Sequence, residues 1–265
     1  MIRLLVFVLS LFSTMAAAET MKLAVTTSFH NSGLSDVLLP VILEDTGLEV
    51  QLLVVGTGQA LRLGEAGDVD AILVHSRAAE EAFVAKGFAP YRREIMYNDF
   101  VFIGPQSDAA KIASAGDAAD ALTRIAETEA PFVSRGDESG THKKELSLWS
   151  AAQLDPAQFG SWYKAVGAGM GASLNTASGL DAYILADRAS WLNFANKGTL
   201  ALLFSGDPAL FNQYAYLPID PARHPHVKAE AQRTLEDWLT SPKAEALING
   251  YRIEGTSLFV FNAEG

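Results

Sequence analysis

Residues 130–149 read APFVSRGDESGTHKKELSLW. A short apolar run, Ala130 to Val133, leads into a tight polar loop and then into a helix-forming stretch from Lys143. Strand, loop and helix start are the repeating unit of an α/β protein. Leu146 and Trp149 lie three apart and are expected to share one helix face. Ser139, Gly140 and Thr141 fall where the helix begins, a place whose N–H groups lack intrahelical acceptors and carry partial positive charge. Gly136 and Gly140 permit close approach to the backbone, and Arg135 adds a planar charge with its donors in a fork. Aimed N–H groups, two hydroxyls and a guanidinium together describe an anion site. The plainer alternative is a hydroxyl N-cap beside an exposed arginine. Asp137 has three open readings: it orients Arg135, caps a helix, or accepts a proton from a protonated ligand.

The same unit recurs on both sides of this stretch. Met21–Val25 reads as a strand running into Thr26-Thr27-Ser28, followed by helical spacing at Leu34, Val37, Leu38, Val41 and Ile42. Val50–Val55 reads as a second strand, apolar after Gln51 as buried parallel strands are, and it ends in Gly56-Thr57-Gly58. Ala71–His75 is a third strand. Three strand-to-helix loops thus each place a hydroxyl beside an uncapped helix start at the carboxyl end of an apolar strand, the edge where open α/β sheets bind ligands. The loop Gly167-Ala168-Gly169-Met170-Gly171 has similar backbone freedom. Ile95–Gly104 breaks the rhythm as one long strand, long enough to leave one domain and enter another; Gln213–Ile219 is a second crossing candidate. The expected organisation is a first lobe from residues 19–97 and 215–265 and a second from 98–214. Each would be a mostly parallel sheet flanked by helices, with two crossing strands as the hinge near Asn98-Asp99 and Tyr214.

Residues 1–18 are expected to be a signal segment. Arg3 is a short positive region, Leu4–Phe12 is apolar, and Ala16-Ala17-Ala18 supplies the small residues that a signal peptidase needs. Cleavage after Ala18 would start the mature chain near Glu19 and place it, soluble, in a periplasm. The net charge of −11 argues against nucleic acid as a partner. It does not exclude a small anion, because diffuse surface charge is screened over about 8 Å at physiological salt while aimed donors act at contact. The absence of cysteine excludes disulfides, thiolate metal sites and thiol nucleophiles.

Other signals carry less. Gly56–Leu61 lacks the third glycine of a dinucleotide fingerprint. Ser161-Trp162-Tyr163-Lys164 fits Ser-x-x-Lys without its companion motifs. His224-Pro225-His226 lacks a third metal ligand, so no bare metal cation is expected; His75 and His142 read as structural.

In chain order, VTTS (25–28), VGTGQAL (55–61), MYNDFVFIGP (96–105), FVSRGDESGTH (132–142), WY (162–163), GMG (169–171), AYILADR (182–188) and NQYAYLPID (212–220) resemble the periplasmic tungstate-binding proteins of ABC uptake systems. Val25 stands where that family's first motif has another threonine. The resemblance implies a two-lobed solute-binding fold holding a bare tetrahedral oxyanion in the interlobe cleft. It implies Thr27, Ser28, Thr57, Arg135, Ser139 and Thr141 as oxyanion contacts, no catalytic residue and no cofactor. The implied partner is an ABC permease in the membrane, met by a monomeric receptor. Molybdate, sulfate and phosphate remain alternative ligands. A periplasmic serine-dependent hydrolase remains an alternative of another class, its mark being a serine within reach of a base such as His142 or Lys164.

Overall fold

The computed structural model describes residues 19–263; the expected signal segment, residues 1–18, lies outside the described residues. The chain begins with β1 (Glu19–Thr26), α1 (Thr27–Asn31), α2 (Leu34–Thr46), β2 (Leu48–Val55), α3 (Thr57–Ala66), β3 (Ala71–Val74), α4 (Arg77–Ala85) and the long β4 (Arg93–Pro105). It continues with α5 (Ala118–Glu127), β5 (Phe132–Ser134), α6 (Gly140–Ala151), β6 (Tyr163–Ala165), α7 (Met170–Leu180), β7 (Tyr183–Asp187), α8 (Arg188–Asn193), β8 (Leu200–Phe204) and β9 (Phe211–Pro218). Helices α9 (Ala229–Leu239) and α10 (Pro242–Gly250) and the short strands β10 (Arg252–Ile253), β11 (Thr256–Ser257) and β12 (Val260–Phe261) close it.

The strands run in the order β2-β1-β3-β9-β4-β7-β5-β6, with β8 and β12 also on β4. β1 pairs in parallel with β2 and β3, and β5 in parallel with β6 and β7. β4 and β9 are the exceptions: β9 is antiparallel to β3 and β4, and β4 is antiparallel to β7 and β8. The pairing of β4 changes along its length. Arg93–Asp99 pairs with β9, and Phe100–Pro105 pairs with β7 and β8. The change of partners thus falls between Asp99 and Phe100, and β9 lies wholly with the first group of strands from Phe211 onward. A buried hydrogen bond from Asn212 Nδ2 to Asn98 Oδ1, 2.8 Å, ties β4 to β9 at this point.

Both faces of each strand group are covered, as alternation along the strands requires. Met21, Leu23 and Val25 face a core shared with Leu38, Ile42, Tyr216 and Trp238, whereas Ala24 faces Ile72, Phe83 and Leu217. Phe100 and Phe102 face Ile125, Phe132 and Trp149; Val101 and Ile103 face Val133, Leu174 and Ile184.

Two sequence expectations need correction. β2 is an edge strand and half-exposed, although its residues are apolar, because only β1 pairs with it. The buried face of α6 is Thr141, Glu145, Leu148 and Trp149; Leu146 is 39% exposed and does not share the face of Trp149. Glu145 takes the inward position because Tyr163 donates its hydroxyl to Oε1 at 2.7 Å and Trp149 donates Nε1 to the same oxygen at 3.2 Å. Burial pushes that carboxyl up to about 7 even so. Among the described residues no helix is long and apolar enough to cross a membrane.

Candidate functional site

Register brings the first set of candidate residues to one edge. Thr26 pairs with Val55, and Val25 with Leu73, so the carboxyl ends of β2, β1 and β3 lie side by side. Just beyond those ends come Thr57, then Thr27 and Ser28, then His75. Ser28 is the best connected of these. Its Oγ lies 3.0 Å from Thr26 Oγ1, 3.0 Å from His75 Nε2 and 3.3 Å from the Tyr214 hydroxyl. Thr27 is exposed and Thr57 half-buried. Helix α3 starts at Gly56 with no side-chain cap, which leaves its first N–H groups at the same edge as Ser28.

The second set hangs from the β5–α6 loop. Gly136 has φ +60°, and a Cβ there would lie 2.8 Å from the Ala165 Cβ, so only glycine lets the loop turn against β6. The backbone is held by Gly167 N donating to Arg135 O at 2.7 Å and Val166 N to Ser134 O at 3.0 Å. Arg135 Nη2 forms an ion pair with Asp137 Oδ2. Nη1 lies 3.5 Å from Thr141 Oγ1, and the buried Nε has no partner. Asp137 also accepts from Ser139 N at 3.2 Å. Burial alone would raise its carboxyl, but hydrogen bonds from Ser139 and Arg135 and the arginine's charge hold it below the usual carboxylate range. Of the three readings of Asp137, the geometry supports orientation of Arg135.

The expectation of uncapped helix starts holds only in part. Thr26 caps α1 by accepting from Phe29 N, and Ser139 caps α6 by accepting from His142 N at 3.3 Å. The starts of α3 and α7 carry no side-chain cap. Capping by Ser139 uses its oxygen and leaves its hydrogen free to donate, and the Gly140 and Thr141 N–H groups still precede the first intrahelical acceptor.

His75 joins the two sets. It sits beyond β3, yet a Cβ on Gly140 would come 3.0 Å from its Cε1, so its ring lies against the first turn of α6. It packs on Tyr214 with ring centroids 4.8 Å apart. Burial pushes its pKa from 6.5 down to about 4, against hydrogen bonding to the backbone and to Asn212 that raises it, so the ring is neutral near pH 7. Burial likewise raises Tyr214 to about 12 and keeps its hydroxyl protonated. Sequence reading set His75 aside as structural and placed Tyr214 only at a hinge. The available signal was that His75 follows an apolar strand at the same edge as Ser28 and Thr57. His142, by contrast, accepts at Nδ1 from Glu138 N, 3.0 Å, within its own turn.

A cavity of about 240 Å³ opens beside Ser28, lined also by Asn31 and Ser32 on one side and by Gly171, Asp187 and Ser190 on the other. Asp187 caps α8 by accepting from Ser190 N at 2.9 Å. The remaining motifs are structural. His224 and His226 bond the carbonyls of Glu65 and Gly67 at 3.1 and 2.8 Å, and no metal-binding group of three His, Cys, Asp or Glu exists among the described residues. Ser161 and Lys164 are exposed on β6 and the turn before it.

Comparison with known proteins agrees with this architecture. Residues 13–243 match the PBP superfamily domain. The tungstate-binding protein TupA of Peptoclostridium acidaminophilum is 44% identical over 251 residues, covering 93% of this chain and 87% of that protein. TupA of Campylobacter jejuni subsp. jejuni is 35% identical over 241 residues, covering 89% of each. The solved structure of the tungstate-binding protein TupA from Desulfovibrio alaskensis G20 superimposes with a TM-score of 0.88 at 42% identity, over 93% of this chain and all of that one. With the fold, the order of the motifs and this degree of identity in agreement, the chain belongs to the PBP superfamily and, within it, to the TupA family of tungstate-binding proteins.

Proposed function

We propose that the protein captures tungstate between its two halves, which the strand pairing divides just after Asp99 and just before Phe211 rather than at 97/98 and 214/215, and hands it to the membrane permease of an ABC uptake system. The observation that carries this reading is the Arg135 loop: a guanidinium oriented by Asp137, beside Thr141 and the free N–H groups of α6, facing Ser28 through His75. Thr27, Ser28, Thr57, Arg135, Ser139 and Thr141 can all donate, which suits a fully deprotonated tetrahedral dianion. The tungstate-binding relatives supply the choice of anion, because donor chemistry alone treats tungstate and molybdate alike. Closure would pivot where β4 changes partners, at the Asn98–Asn212 contact. Residues 1–18 would direct export and be removed before Glu19, leaving a monomeric periplasmic receptor.

No reaction is assigned. Ser28 meets a histidine, but a half-buried ring with pKa about 4 is a weak base, and we read the contact as orienting the hydroxyl. One observation favours a second ligand, phosphate: Asp187 lines the cavity beside Ser28 and could accept the proton of hydrogen phosphate. Melting temperatures at equal concentrations of tungstate, molybdate, sulfate and phosphate separate the two readings. Tungstate is expected to stabilise most and molybdate equally or slightly less. Sulfate should give far less, because its smaller radius lengthens every hydrogen bond, and phosphate far less, because its proton points at a donor. At a hundred times the dissociation constant the gain is about 2.7 kcal/mol. A larger shift with phosphate would overturn the assignment and give Asp187 the role of proton acceptor.

A further inference from the structure

The Ser28 hydroxyl has one hydrogen to donate and two lone pairs, yet three polar side chains surround it. Thr26 Oγ1 already accepts from Phe29 N, so its own hydrogen is available to Ser28. A neutral imidazole carries a single ring proton, on either nitrogen. Were Nε2 bare, it would draw the Ser28 hydrogen to itself and turn lone pairs toward the cleft, which repels an anion. With the proton on Nε2, His75 and Thr26 fill both lone pairs of Ser28 and leave its hydrogen free. Tyr214, at 3.3 Å, is a weak competitor for that hydrogen, since good O–H···O bonds run at about 2.7–2.8 Å.

The position of the ring is fixed, while its own carbonyl and Asn212 compete with Ser28 for the single ring proton. The ring is half-buried, packed on Tyr214, and pressed against Gly140, where any side chain would crowd Cε1. Resting on the reading of Ser28 as an anion contact, we infer that His75 is a positioning residue for the oxyanion. By donating from Nε2 it commits the Ser28 hydroxyl to donate into the cleft, and by its contact with Gly140 it holds that hydroxyl opposite the first turn of α6. His75 itself need not touch the anion.

Because His75 acts through Ser28, the two should be strongly non-additive. The test is calorimetric titration of tungstate into the wild type, Ser28→Ala, His75→Phe, His75→Gln and the His75→Phe/Ser28→Ala double variant at pH 8, with melting of each unliganded protein as a control for folding. Ser28→Ala and His75→Phe are each expected to weaken binding by roughly ten- to a hundredfold, as loss of a hydrogen bond to a charged group does. The double variant should bind no worse than Ser28→Ala alone. His75→Gln, which restores an N–H donor, should recover part of the loss. Wild-type affinity in His75→Phe, or a loss that adds in full to that of Ser28→Ala, would overturn the inference and make His75 a packing residue. Unchanged affinity in Ser28→Ala would remove Ser28 from the site and overturn it too, while the wild-type titration separately reports whether tungstate binds at all.

Discussion

Replacing Arg135 with alanine is expected to weaken tungstate binding by roughly 30- to 4,000-fold, the range for losing one partner of a buried charge pair at about 2–5 kcal/mol. The loss has two parts. The anion forfeits the only guanidinium in the loop, and Asp137, left without Arg135, presents an uncompensated carboxylate to it. Arg135→Lys should fall between wild type and alanine, since lysine keeps the charge but cannot serve Asp137 and an oxyanion at once through a planar fork. Fold should persist in both, because the loop backbone is held by Gly167 N and Val166 N independently of the guanidinium. Calorimetry on the two variants reads the effect, and unchanged affinity in Arg135→Ala would take Arg135 out of the site.

Acidification is expected to destabilise the unliganded protein through His75. The unfolded chain takes up a proton near pH 6.5, whereas the folded ring resists it to about 4. The unfolded state therefore binds more protons in this window, and stability present above pH 6.5 drains away as the pH falls toward 4. A displacement of that size corresponds to about 3 kcal/mol, or on the order of 6–12 °C in melting temperature for a domain of this size. Glu145 works in the opposite sense: its folded carboxyl titrates near 7, so its contribution is fullest at low pH and is lost as the pH rises from 4.5 to 7. The wild-type profile alone is thus flattened, and the difference between wild type and His75→Phe isolates the histidine. That difference should move in favour of His75→Phe as the pH drops from 6.5 to 4. Parallel melting curves across this range would show that the ring is not held neutral by burial.

The candidate residues that lie in one stretch of chain could be grouped from the sequence alone. Arg135, Ser139 and Thr141 stand in a strand-loop-helix unit whose glycine, hydroxyl and guanidinium chemistry is local. What escaped depends on distant segments meeting. His75 meets Ser28 and α6 only because β3 ends beside β1 and because the first turn of α6, at Gly140 far along the chain, comes up against its ring. Tyr214 matters through the antiparallel return of β9 beside β3. Hydrophobic spacing misread α6, since a glutamate holds the buried position that Leu146 was expected to take, and only Tyr163 and Trp149 make that tolerable. Apolar composition misread β2 as a buried strand, because composition does not tell which strand lacks a second neighbour.

Location and chemistry of the ligand are tested together by diffraction at the tungsten absorption edge from crystals grown with tungstate. The account predicts a single strong anomalous peak, the tungsten, placed so that its oxygens come within hydrogen-bond reach of Ser28 Oγ, the Arg135 guanidinium and the Gly140–Thr141 backbone N–H groups. A peak elsewhere, or none with tungstate present in excess, would contradict it.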